Sequence, residues 1–225
     1  MLTIGAIHSG ATSLAPVLER EWAPYLHDYK LINIIDDSLI HTVIQDGAVT
    51  SRTVRRVVDL CEALMLAGAD VVVETCSSIG EAAEIADRQL ECPVLRIDQA
   101  MAAEAVKHYC KIGVLASLST TLLPTVSCVE RTAQKLGRAV EVTSLVAEGA
   151  FERWISGEAE KHDDLLIEAA KTGLADCEVI LLAQVSMLRV QERMKRETGK
   201  PVLASPDWCA RQIREMFPEK EGVSC

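Results

Sequence analysis

Eight short, continuously apolar runs recur along the chain, each separated from the next by a helix-like segment. They are "LTIGAI" (2–7), "KLINII" (30–35), "DVVVE" (70–74), "CPVLRI" (92–97), "KIGVLA" (111–116), "AVEVTSL" (139–145), "EVILLA" (178–183) and "KPVLAS" (200–205). Runs without polar alternation suit strands buried on both faces, the condition of a parallel sheet covered by helices. The segment "SRTVRRVVDLCEALMLAGAD" supplies one such cover. Val54, Val57, Val58, Cys61, Leu64 and Met65 fall near helical spacing, Thr50 or Ser51 is placed to cap the start, and Gly68 follows the end. "RTAQKLGRAV" and "HDDLLIEAAKTGLADCEV" read the same way, so the expected class is α/β.

The two halves of the chain resemble each other. "IGAIHSGATSLAP" (4–16) aligns with "IGVLASLSTTLLP" (112–124), with Pro16 and Pro124 each expected in the first turn of the next helix. "ADVVVETCSS" (69–78) aligns with "CEVILLAQVS" (177–186), which sets Cys76 opposite Gln184. A duplicated unit explains both matches in the same order. The expected architecture is two pseudo-symmetric lobes, each a mainly parallel sheet flanked by helices, whose strand-end loops line a shared cleft, which the family resemblance given below makes the active site. Lobe one is assigned residues 1–98 plus 206–225 and lobe two residues 99–205. No Pro/Ser-rich linker separates them, so close docking is expected.

Composition narrows the function. The formal charge of −10 gives no footprint for nucleic acid or for an anionic membrane surface. No apolar run approaches the roughly 20 residues that span a bilayer, and "MLTIGAIHSG" lacks a basic signal region, so a cytoplasmic protein is expected. Symmetric assembly into a homo-oligomer is expected as well. The eight cysteines are scattered without C-x-x-C or Cys/His spacing, so they read as reduced thiols, most of them core fillers, with Cys225 in a frayed tail. Glycine-rich nucleotide loops and metal-ligand spacings are missing, and no cofactor is expected.

Chemistry gathers where strands end. Cys76 follows the run Val71–Val73 and precedes a helix expected to start near Gly80 or Glu81, whose N-terminal field would lower the thiol toward neutrality. Thr75, Ser77 and Ser78 add donors for a carboxylate, although plain helix capping would also explain the serines. After the fifth run come Ser117, Ser119, Thr120 and Thr121, and the matching turn of the first half carries His8, Ser9 and Thr12. Helix-start amides in such turns suit an anion. His8 and His162 are candidates for the cleft, whereas His27, His41 and His108 read as surface or helix-face residues. No G-x-S-x-G elbow and no clear histidine partner for a cysteine hydrolase is present.

At these residues the chain resembles the aspartate/glutamate/hydantoin racemase superfamily. "IGAIHSGATSLAP", "GADVVVETCSSIG", "PVLRIDQAM", "KIGVLASLSTTLLPT", "VILLAQVSM" and "KPVLASP" carry the likeness in order along nearly the whole chain. The resemblance implies an enzyme that uses neither metal nor pyridoxal phosphate and acts on a small carboxylate. In the family pattern a cysteine from each lobe flanks the substrate, while loop hydroxyls and amides hold the carboxylate. Cys76 matches the first cysteine, and the second falls at Gln184, with Ser186 two residues on. The implied roles are acid/base for Cys76, with Gln184 and Ser186 orienting substrate. Racemisation is the leading expectation. A single-cysteine decarboxylase, a cis-trans isomerase and a non-catalytic carboxylate sensor remain the alternatives.

Overall fold

All eight apolar runs form strands: β1 (Leu2–His8), β2 (Tyr29–Ile35), β3 (Val71–Glu74), β4 (Val94–Arg96), β5 (Lys111–Ala116), β6 (Glu141–Val146), β7 (Val179–Leu182) and β8 (Val202–Ala204). The computed structural model describes residues 1–9 and 14–218, so Thr12 and Cys225 lie outside the described residues. The helices are α1 (Ala15–Trp22), α2 (Ser38–Asp46), α3 (Ser51–Leu66), α4 (Gly80–Gln89) and α5 (Gln99–His108) in the first half. In the second they are α6 (Ser119–Lys135), α7 (Ala150–Ile155), α8 (Ala159–Gly173), α9 (Gln191–Thr198) and α10 (Ser205–Met216). Short 3-10 turns at Ser77–Ile79 and Val185–Val190 follow β3 and β7.

Each half therefore runs through the same order of elements, and each builds a four-stranded, all-parallel sheet. The orders β2-β1-β3-β4 and β6-β5-β7-β8 are identical once the second half is counted from its own start. Registers agree too: Ile7 pairs with Glu74 and Leu115 with Leu182, so Leu182 is the counterpart of Glu74. The duplication extends to small residues. A Cβ on Gly5 would come within 2.9 Å of Leu64, and one on Gly113 within 3.2 Å of Cys177, because a helix or its trailing loop crosses each central strand there.

Burial on both faces holds for the central strands β1, β3, β5 and β7 but not for the edges β2 and β6, neither of which has a buried residue, Ile35 of β2 being 53% exposed. One face of the first sheet packs Ile4, Val71 and Val73 against Leu18 and Trp22 of α1 and Cys209, Ala210 and Ile213 of α10. The last helix of the chain thus completes the core of the first lobe, and Trp22 Nε1 donates to the Pro206 carbonyl at 3.0 Å. The exchange is mutual. Met101, Ala102, Ala105 and Val106 of α5 pack against Ile112, Val114, Val179 and Leu181 of the second sheet. Each lobe's core includes a helix that follows the other lobe's last strand.

Pro124 lies further into its helix than the sequence suggested. α6 starts at Ser119, which puts Pro124 at the sixth residue rather than in the first turn. Lacking an N–H, it leaves the Thr120 carbonyl without its intrahelical donor, and the Ser78 hydroxyl from lobe one donates to that oxygen at 3.1 Å. Ser77 Oγ reaches the Ala183 carbonyl at 3.4 Å. Further out, Arg96 of β4 donates to the Pro124 carbonyl and to Glu84, while Arg131 of α6 also meets Glu84. The lobes meet through these bonds, at the strand ends.

Candidate active site

The C-terminal ends of the central strands face a cavity of about 340 Å³ walled by both lobes, the usual place for a ligand in an open parallel sheet. Thr75, Cys76, Ser77 and Ser78 come from the first lobe, and Thr120, Thr121, Ala183, Gln184 and Ser186 from the second. The rest of the lining is apolar, from Leu14, Ile40, Ile44, Leu118, Phe151, Trp154 and Val185, with His41 among them. Ile44 is 53% and Trp154 37% exposed, which puts them at the mouth. No lysine or arginine lines the cavity among the described residues. A larger groove of about 490 Å³ runs past Glu84, Arg96 and Arg131, but its one thiol, Cys128, is only 2% exposed and burial pushes it up to about 12.

Cys76 and Gln184 occupy equivalent positions. Each is extended backbone, at φ −114° and −131°, immediately before its 3-10 turn. Around them, Thr75 N bonds the Ile7 carbonyl as Ala183 N bonds that of Leu115, and Ile79 N bonds the Cys76 carbonyl as Met187 N bonds that of Gln184. The strand-end loop is one design built twice, with a thiol in one copy and an amide in the other.

The electrostatics of Cys76 correct the sequence expectation. α4 begins at Gly80, as expected, but a 3-10 turn stands between it and Cys76, and the thiol is raised rather than lowered, to about 11. Burial is the main cause and the negative charge of Glu74 the next, while the Ser78 amide and the hydroxyls of Ser9 and Ser78 favour the thiolate. Glu74 is fully buried. Its Oε1 accepts from Ser9 Oγ at 2.7 Å and from Cys76 N at 3.1 Å, and its Oε2 has no partner among the described residues. Burial pushes this carboxyl up to about 8.

Gln184 is fixed by Ser117. The Ser117 backbone N–H donates to Gln184 Oε1 at 2.7 Å and the Ser117 hydroxyl at 2.9 Å. A backbone N–H can only donate, so the side-chain oxygen must be the atom that faces it, and the NH₂ is the group left for a ligand. Ser186 makes no side-chain hydrogen bond among the described residues.

Three candidates stand behind the wall instead of in it. His8 is buried, with Nε2 on Asn33 Oδ1 at 2.8 Å and Nδ1 on Thr75 Oγ1 at 3.2 Å, and burial holds it below its ordinary value. Ser9 is taken up by Glu74 and Ser117 by Gln184. The expected substrate-binding hydroxyls of Thr75, Ser77 and Ser78 line the cavity but donate to the carbonyls of Ile7, Ala183 and Thr120. The donors left free are the Thr120, Thr121 and Ser186 hydroxyls, the Gln184 amide and the Ser119 and Thr120 N–H groups at the start of α6, the Thr121 and Leu122 N–H groups being taken by the Leu118 carbonyl. His162 lies beneath Trp154, ring centroids 5.2 Å apart, with Nδ1 on Asp163 Oδ1 at 2.8 Å. Asp163 also pairs with Arg189 at 3.0 Å, so this group holds Trp154 in place.

Sequence reasoning missed Glu74, His41 and the apolar lining of the cavity. Glu74 was visible as the acid that closes the apolar run Val71–Val73 in "DVVVE". Phe151 and Trp154 share a face of α7, three residues apart, but nothing local shows that this face turns to the cleft. The described residues hold no group of three or more His, Cys, Asp or Glu side chains arranged for a metal ion, and no helix among them is long and apolar enough to cross a membrane.

Two parallel-sheet lobes of identical order, closing on a cavity with a strand-end cysteine, define a two-lobed α/β protein of the racemase type. The sequence model of the Asp/Glu/Hydantoin racemase family matches residues 4–213, and the chain belongs to that family. No curated protein sequence gives a significant match. Among solved structures, a Yersinia pestis protein provisionally described as an Asp/Glu racemase superposes with a TM-score of 0.75 at 19% identity, over 96% of this chain and 99% of that one. Allantoin racemase from Pseudomonas fluorescens gives 0.64 at 17%, over 96% and 90%. A doubly substituted, liganded arylmalonate decarboxylase gives 0.63 at 18%, over 98% and 94%. At these identities the superpositions establish the shared fold.

Proposed function

We propose that this protein is a cofactor-independent enzyme that moves a proton at the α-carbon of a small carboxylate, with Cys76 as the acid/base. The observation that carries the reading is the placement of Cys76 on the wall of a cavity between two duplicated lobes, facing a loop of matching geometry. The substrate carboxylate would lie at the polar wall, against the start of α6, the Gln184 amide and the Thr120, Thr121 and Ser186 hydroxyls. Its substituent would lie among Ile40, Ile44, Leu118, Phe151 and Trp154. Among the described residues no cation lies on the wall, so an apolar substituent on the α-carbon fits that part of the cavity better than a charged one.

Removing the α-proton, or losing a carboxyl group from the same carbon, places a second negative charge on the carboxylate oxygens. Each preorganised donor aimed at that charge is worth about 3 kcal/mol. Gln184, pinned by Ser117 with its NH₂ free, suits this task and has no useful basicity. Cys76 is then the one thiol serving the carbon, taking a proton from one face or returning one to it. Such one-sided chemistry favours decarboxylation with protonation, or isomerisation. Symmetric two-thiol racemisation has no second thiol at Gln184, so racemisation would require another acid on the opposite face.

Proton NMR in D₂O distinguishes these outcomes on a panel of amino acids, hydantoins and alkyl- or aryl-substituted malonates. The one-thiol reading expects loss of a carboxyl group with one deuteron incorporated on a single face. Loss of the α-proton signal with inversion would replace it with racemisation. Cys76→Ala should lower turnover by about 10²–10⁴-fold, the usual contribution of a positioned acid or base, with an unchanged circular dichroism spectrum. Near wild-type turnover in that variant would remove Cys76 from the chemistry.

A further inference from the structure

We propose that the substrate's α-carbon carries an extended, uncharged apolar chain, whose far part lies in a groove of about 390 Å³ between α2 and α6 that adjoins the candidate active site. The inference rests on the substrate carboxylate lying beside Cys76 and adds the class of substituent. Ile44, Ser78 and Thr120 belong to the walls of both hollows. Lobe one supplies the groove with Val43 and Ile44 of α2 and with Ala48 and Val49 just after it, and lobe two supplies Leu123 and Pro124 of α6. The larger groove along Glu84, Arg96 and Arg131 shares no wall residue with the active-site cavity.

Two large apolar side chains of this groove are left in water. Ile44 is 53% and Leu123 69% exposed, one from each lobe. Apolar residues scattered singly on a surface need no explanation. These two line one hollow, and it adjoins a cavity already lined by Leu118, Phe151 and Trp154. A chain laid along them would remove apolar surface of both lobes from water at once, which favours binding in proportion to the area covered.

The polar groups of the groove favour a chain without a charged end. Arg96 is bound to Asp98 and Glu84, and Arg131 to Glu84 and Ser127, so both guanidiniums are already paired. Glu81, in the first turn of α4, also lines the groove and makes no ion pair among the described residues. Its carboxylate repels a second acid and leaves a neutral chain undisturbed. Where the two hollows share a wall, the Ser78 hydroxyl donates to the Thr120 carbonyl at 3.1 Å. Each satisfies the other, so an apolar chain passing there leaves neither of them without a partner.

The test is a binding series of straight-chain alkylmalonates, from methyl to octyl, measured by isothermal titration calorimetry on the wild type and on Cys76→Ala. It needs no turnover. Once the chain outgrows the space among Ile40, Phe151 and Trp154, affinity should keep rising by about three- to fourfold per methylene, the worth of a buried CH₂. Leu123→Asp changes an exposed residue that lines the groove and not the cavity, so it should abolish this later rise and leave methyl- and ethylmalonate binding unchanged. Ala48→Trp, which fills the groove from the other lobe at an exposed position, should do the same. A member whose chain ends in a further carboxylate should bind more weakly than its methyl-ended equivalent. Affinity that stops rising at the short chains overturns the inference, as does a rise that both variants retain or a failure of every member to bind. Equal or tighter binding of the carboxylate-ended member overturns the uncharged chain. The chain dependence without any exchange or decarboxylation in D₂O would support the groove and count against the chemistry proposed for Cys76 instead.

Discussion

A buried acid beside a buried thiol has consequences for stability that can be read apart from activity. Glu74 ionises near 4.5 in the unfolded chain and near 8 in the folded protein. Between those values the folded state holds a proton that the unfolded state has released, so stability falls as pH rises. The contribution is complete below about 4.5 and is lost as pH climbs through about 8. Urea midpoints measured across this window should therefore decline in the wild type, and Glu74→Gln, which keeps the shape without the charge, should flatten that decline. Equal slopes in the two proteins would mean that Glu74 is not held neutral. At this scale the sequence shows Cys76 and its hydroxyl neighbours but not their bonding. "TCSS" contains Thr75, Ser77 and Ser78, whose hydroxyls bond to backbone carbonyls, and those carbonyls are brought near only by the fold.

Among the elements, α6 shows how one proline shapes the lobe contact. Pro124 frees the Thr120 carbonyl inside a helix that is otherwise regular, and Ser78 from the opposite lobe fills the gap. Ser78→Ala should cost about 1 kcal/mol, the net worth of a neutral hydrogen bond that leaves its carbonyl unsatisfied. In a Pro124→Ala background the carbonyl recovers its own helical N–H, and the same Ser78→Ala change should cost close to nothing. A double-mutant cycle by urea denaturation measures this coupling, and additive costs would show that the two residues act independently. The strands were legible because central strands of a parallel sheet need unbroken apolar runs, which also made the duplication visible in "IGAIHSG" against "IGVLASL" and in "DVVVETC" against "EVILLAQ". The apolar lining of the cavity was not, because α2 and α7, which supply Ile40, Ile44, Phe151 and Trp154, are separated by about a hundred residues and meet only across the cleft.

Over the whole molecule, the exchanged helices decide whether two lobes behave as one folding unit. α5 follows the last strand of the first sheet yet packs on the second, and α10 follows the last strand of the second yet packs on the first. Neither core is complete when the other lobe is unfolded, so independent lobe unfolding would strip apolar contacts from both. The chain should unfold in a single cooperative transition. Ile213 is a direct probe because it is fully buried in the first core but belongs to the last helix. Ile213→Ala should cost about 2–5 kcal/mol through the lost methylenes and the cavity they leave. Hydrogen exchange then distinguishes the two possibilities. If the lobes unfold together, Val71–Val73 in the first sheet and Val179–Leu182 in the second should lose the same protection free energy, although only the first sheet touches Ile213. Loss confined to the first sheet would mean that the lobes open separately. The cavity between them would then be able to widen without unfolding either core, and the bonds from Ser77 to Ala183 and from Ser78 to Thr120 would be its closure.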